Sequence, residues 1–124
     1  MEFKKDETLL TGRLKSVVYA FKGALKLITT EHSVMIQSSL VVIMTIAGFY
    51  FEISTTEWMF QILVFGLVLS IEGLNTAVEK IADFVHPDYH ERIGFIKDIA
   101  AGAVFFAAMT AITIGAIIYI PKIV

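Results

Sequence analysis

Hydrophobic and polar positions divide the chain into three uncharged stretches and one striped one. Residues 33–51, 58–71 and 99–120 carry no charged side chain over 19, 14 and 22 residues. A hydrocarbon core of roughly 30 Å needs about 20 helical residues to cross it. The first and third stretches suffice alone. The second is short, but helical periodicity continues to Val85 with no proline or turn cluster. The pattern therefore predicts one helix over residues 58–85, about 42 Å long at 1.5 Å per residue, whose last turns leave the membrane. Before the first span, Leu14, Val17, Val18, Phe21, Leu25 and Ile28 recur at helical spacing, with Lys15, Lys22 and Lys26 off that stripe. This predicts an amphipathic helix over about residues 13–30 lying on the membrane surface; a basic juxtamembrane tether is the plainer alternative.

The expected architecture is an all-α integral membrane protein of one domain, residues 1–124. It has a surface helix and three spans at about 33–52, 58–85 and 98–120. Composition agrees. The hydrophobic share is 56%, above the 45–50% usual for soluble domains, and mean hydropathy is +0.75. The net charge of -2 gives no field for nucleic acid. The absence of cysteine excludes disulfides, thiolate metal sites and cysteine nucleophiles.

Charge sets an expected topology. Lys4, Lys5, Arg13, Lys15, Lys22 and Lys26 precede the first span, and Lys80, Arg92 and Lys97 lie between the second and third. The first turn carries Glu52 and Glu57 and no basic residue. Positive charge marks the cytoplasmic side, so the N-terminus is expected inside and the C-terminus outside.

The second span carries the candidate chemistry. Glu72, Asn75, Glu79 and Asp83 fall within a sector of about 80° at 100° per residue. Gly66, Ser70, Gly73 and Ala77 occupy a roughly opposite sector, as a packing face would. An acid inside the apolar zone costs roughly 2.5–3.5 kcal/mol, so a functional reading is the default, against a Glu72 that snorkels to the interface. Carboxylates in one sector need protons or cations, and magnesium takes such oxygens together with substrate phosphates. The third helix is expected to open at Lys97 and Asp98, a compact cation suited to phosphate and an acid that could simply cap the helix. Ala103, Ala107, Ala111 and Gly115 form a second small-residue stripe. Glu31, between surface helix and first span, is either a solvated boundary residue or faces the acids of the second span. His32, His86 and His90 have no metal-ligand spacing, and no phosphate-binding glycine loop is present.

The run Glu72-Gly-Leu-Asn75-Thr-Ala-Val-Glu79-Lys-Ile-Ala-Asp83 resembles the ExxNxxxExxxD motif of the prokaryotic diacylglycerol kinases, a family that includes undecaprenol kinases. The similarity runs on through Asp88-Tyr89-His90-Glu91 to Lys97-Asp98-Ile-Ala-Ala-Gly-Ala-Val104, and back to Tyr19-Ala-Phe-Lys22-Gly23 and Glu31. The resemblance implies a homotrimer of three-span subunits in the bacterial cytoplasmic membrane, with active sites between subunits at the cytoplasmic interface. It implies ATP as donor, Mg2+ as cofactor and a membrane lipid alcohol as acceptor: diacylglycerol as first choice, undecaprenol as the alternative. Residue by residue, it makes Glu72 the catalytic base and Glu31 and Glu79 the metal-holding carboxylates. Tyr19, Glu31, Glu79, Asp88, Tyr89, His90, Lys97 and Asp98 become nucleotide-binding residues, with Asn75 and Asp83 as supporting polar groups. Two departures bear on lipid recognition: Gly12, followed by Arg13, stands where one family arrangement has Arg, and Met35 where relatives often carry a basic residue. A proton-coupled transporter and a structural membrane subunit are the rival classes; the first does not need the polar segment from Asp83 to Asp98 or Lys97, and the second predicts that replacing the acids leaves function untouched.

Overall fold

In the structure, a computed structural model, residues 8–124 are described; Lys4 and Lys5 lie outside them. The described residues form four helices: α1 (Leu9–Thr30), α2 (His32–Tyr50), α3 (Thr55–Val85) and α4 (Glu91–Ile123). The last three are long and apolar enough to span a membrane, and the fold is all-α.

Local chemistry sets the helix ends. Thr8 caps α1 through its hydroxyl, which accepts from Thr11 N–H at 3.2 Å. At Glu31 the backbone turns extended (φ -101°, ψ 115°), so one residue separates α1 from α2. Glu31 N–H still bonds Leu27 C=O and its own carbonyl accepts from Met35, so the bend leaves neither group unpaired. Beyond Tyr50, Glu52 takes a left-handed conformation (φ 50°) that reverses the chain. Ser54 then starts α3 with a capping box. Its hydroxyl accepts from Glu57 N–H at 3.1 Å, and the Glu57 carboxylate accepts from Ser54 N–H at 2.9 Å.

Helix α4 begins seven residues before the predicted span edge. His90 caps it, its ring nitrogen accepting from Arg92 N–H at 3.1 Å. Glu91 and Arg92 are good helix formers, and the single Gly94 before the apolar run costs only about 1 kcal/mol relative to alanine, so the helix runs through it. Lys97 and Asp98 thus sit in the second turn rather than at the helix start, and Asp98 is no cap. At 31 and 33 residues, α3 and α4 are about 46 and 50 Å long. Both overshoot a bilayer core, and they make the most extensive helix pair.

Helices α2 and α4 run parallel, with α3 antiparallel between them. At the α2–α3 turn, Ile53, Ile118 and Tyr119 form a small core. The Tyr119 hydroxyl donates to Gln61 Oε1 at 2.6 Å, Gln61 Nε2 donates to Met44 C=O at 3.1 Å, and Lys122 meets Glu57 at 2.7 Å. A Cβ on Gly48 would lie 2.6 Å from the Trp58 ring, so only glycine permits this approach. Little else is covered: 11%, 22% and 17% of the three apolar windows is buried. Most of the helical surface must therefore meet lipid or another chain.

Candidate active site

The chain's other end gathers the acids. Glu72, Asn75 and Thr76 are buried on α3, at 6%, 9% and 7% exposure. They belong to the same face as Gln61 and Val64. The polar sector of α3 is thus its packing face inside one chain. The small-residue sector, expected to be a packing face, is left open within the chain: Gly66, Ser70 and Ala77 are exposed, while Gly73 approaches Leu27 of α1. The reason is energetic. An acid and two amides are cheaper to hold among helices than against hydrocarbon.

Glu72 sits opposite Gln37 of α2, whose Nε2 donates to its Oε2 at 3.4 Å. One turn on, Asn75 Nδ2 donates to Glu79 Oε1 at 3.5 Å, and Asn75 Oδ1 is buried with no partner among the described residues. Glu79 itself is exposed. Glu31 pairs with Lys80 at 3.1 Å, placing its carboxylate against the residue that follows Glu79. Farther along, Lys97 crosses from α4 to Asp83 at 2.6 Å. Glu31, Glu72, Asn75, Glu79, Asp83 and Lys97 therefore share one end of the bundle.

Other predicted residues stand apart. Asp88, Tyr89 and His90 lie on the exposed α3–α4 connection, where His86 Nδ1 meets the Asp88 carbonyl at 2.6 Å. Tyr89 rests near Gly94, and His90 is occupied as the α4 cap. Asp98 is exposed. Tyr19 is on α1, with Lys22 Nζ 5.9 Å from its ring centre. Arg13 is exposed, and Gly12 accepts from the Ser16 hydroxyl at 3.1 Å.

Among the described residues no three histidine or acidic side chains converge on a common point. The oxygens that fit magnesium are those of Glu79, Glu31 and the unpartnered Asn75 Oδ1, all hard donors near one helix end. Two contributors escaped sequence reasoning. Gln37 is an isolated amide in an apolar span. Gln61 lies 11 residues before Glu72, three turns along the same face. A polar residue inside a span was the available signal for each.

Chemically, the arrangement sets a buried acid, Glu72, where the uncharged stretch of α3 ends, in series with the exposed Glu79 and, farther along the helix, the Asp83–Lys97 pair. That gradient suits transfer of a charged group to an acceptor in the membrane.

Comparison with known proteins agrees. The sequence pattern of prokaryotic diacylglycerol kinase matches residues 18–119. The chain is 34% identical over 123 residues to the undecaprenol kinase of Bacillus subtilis, covering 99% of this chain and all of that one. It is 32% identical over 111 residues to a diacylglycerol kinase of Synechocystis, covering 89% of this chain and 63% of that protein. With the diacylglycerol kinase of Escherichia coli K12 it shares 25% over 107 residues, 86% of this chain and 88% of that one.

Proposed function

Because the chain belongs to the prokaryotic diacylglycerol kinase family and is thus a membrane lipid kinase, we propose that it transfers the γ-phosphoryl group of magnesium–ATP to a long-chain prenol of the undecaprenol type. The observation that carries this choice is the full-length similarity to an undecaprenol kinase, at higher identity than to the diacylglycerol kinases above. It moves diacylglycerol, the first expectation from sequence, to second place.

In this reading Glu72 takes the proton of the lipid hydroxyl. Its burial, at the point where the uncharged stretch of α3 ends, supports this role. Asn75 orients Glu79, and Glu31 and Glu79 would hold the metal that arrives with ATP. That ion supplies charge neutralisation on the phosphates. Lys97 receives phosphate charge, with Asp83 fixing it beforehand. Tyr19, Asp88, Tyr89, His90 and Asp98 would contact the nucleotide. The protein works in the bacterial cytoplasmic membrane as a homotrimer, with sites shared between subunits and facing the cytoplasm. Sparse burial within one chain supports partners; the distribution of Lys and Arg supports the orientation.

The deciding assay offers undecaprenol and diacylglycerol side by side, at matched fractions in mixed micelles, to the purified protein with magnesium–ATP. The expected result is a higher kcat/KM for undecaprenol; a preference for diacylglycerol reverses the assignment. For topology, single cysteines introduced at positions 55 and 88 should label from the periplasmic and cytoplasmic sides respectively, and the opposite pattern refutes the orientation.

A further inference from the structure

Between α2, α3 and α4 runs an apolar groove of about 300 Å³. Leu40, Val41, Val64, Val68, Ile114 and Gly115 contribute to its walls. Its far end is closed by Gln61, whose amide is satisfied by Met44 C=O and the Tyr119 hydroxyl. Its near end is Gln37. From Gln61 to Val68 the groove follows α3 for about 10 Å and points toward Glu72.

Gln37 differs from Gln61 in one respect. Its Nε2 is spent on Glu72 Oε2 at 3.4 Å, while its Oε1 is buried with no partner among the described residues. A buried acceptor left without a donor is costly. A ligand that completes this site therefore has an apolar body for the groove and a hydrogen-bond donor at its head. The only donor a long-chain alcohol offers is its hydroxyl. A second copy of the chain could cover the same apolar walls; a lipid alcohol brings the apolar body and the donor in one molecule.

We infer that Gln37 is a positioning residue that captures the hydroxyl of the lipid alcohol beside Glu72, with the proximal part of the lipid chain in the α2–α3–α4 groove. This rests on the lipid kinase reading of the site. In the binding step the hydroxyl donates to Gln37 Oε1. In the transfer step it turns about its C–O bond to Glu72. The hydroxyl oxygen forms a bond to the γ-phosphorus of ATP as the bond to the bridging oxygen breaks. The electron pair leaves with ADP, and the hydroxyl proton passes to Glu72.

The test uses the full chain in mixed micelles, with undecaprenol as the varied lipid. Gln37→Met keeps length and flexibility but removes the acceptor. It should raise KM for the lipid about tenfold, the upper range for one hydrogen bond, with KM for magnesium–ATP unchanged. Gln37→Asn keeps the amide acceptor on a side chain one methylene shorter and should raise the lipid KM less than Gln37→Met does. Gly115→Leu fills the groove, since a Cβ there meets nothing within 4 Å. It should also raise the lipid KM, with oligomer size unchanged. An unaltered lipid KM in Gln37→Met, or equal rises for lipid and nucleotide, overturns the inference. So does a Gly115→Leu protein whose oligomer changes while its lipid KM does not, because the groove then holds another chain. Glu72→Gln run in parallel separates the two claims: near wild-type turnover there, with the lipid KM still raised in Gln37→Met, removes the base and leaves the hydroxyl contact standing.

Discussion

Glu72 and Glu79 are two turns apart on one face of α3, yet their surroundings differ. Glu72 is buried beside Gln37, whereas Glu79 is exposed and meets Asn75. The first can meet a membrane alcohol; the second can meet an ion from water. Substituting glutamine preserves size at both positions but should fail in different ways. General-base assistance typically contributes 10²–10⁴-fold, so Glu72→Gln is expected to lower turnover by about that factor and keep magnesium–ATP binding. Glu79→Gln should instead weaken the apparent affinity for magnesium–ATP. Steady-state kinetics with both substrates varied, plus direct nucleotide binding, separate the two. A Glu72→Gln enzyme with normal turnover eliminates that base, and a Glu79→Gln enzyme with normal nucleotide affinity removes the metal role. These acids were legible from sequence because their spacing gives one sector. Gln37 was not, because a single amide among apolar neighbours has no period to betray it; only its contact with Glu72, 35 residues away in sequence, reveals it.

At the scale of the element, each boundary reflects one local competition. Periodicity carried α3 correctly through the polar stretch to Val85, because the same face stays in use from Gln61 to Ala82. The start of α4 is not legible in the same way, because its charged residues mark the end of the apolar stretch and not the end of the helix. The α3 start is the sharpest boundary. Ser54 and Glu57 satisfy each other's backbone donors, and Glu57 also binds Lys122 from α4. Removing the Ser54 hydroxyl leaves Glu57 N–H unpaired. Ser54→Ala should therefore lower stability by about 1 kcal/mol, read as an earlier thermal unfolding transition in detergent. Activity at low temperature should persist, since this cap lies 18 residues from Glu72, about 27 Å along α3. An unshifted transition would show that water replaces the cap at no cost.

For the whole molecule, the decisive feature is which surface a single chain leaves unused. The small residues on α3 and α4 looked alike in sequence, both read as packing stripes. The structure separates them. Ala107 is buried at 4% exposure within the chain, so enlarging it tests folding of the subunit; overpacking there costs about 1–3 kcal/mol. Gly66 is exposed, and a Cβ there meets nothing within 4 Å, so Gly66→Leu leaves the subunit unstrained. In lipid, where apolar surface gains nothing by leaving hydrocarbon, helices associate through close backbone approach at such positions. If the Gly66, Ser70 and Ala77 face is the seam between subunits, leucine at 66 should push helices apart and convert the oligomer to smaller species. Helical content and thermal stability of the isolated subunit should stay near wild type. Activity should fall with the oligomer, because no three ligating side chains of one described chain meet at a point and a neighbour would complete the site. The measurement is oligomer mass in detergent by light scattering, with lipid phosphorylation assayed on the same fractions. Gly66→Leu with an oligomer mass equal to wild type places the seam elsewhere; a monomeric and fully active Gly66→Leu shows that one chain holds a complete site.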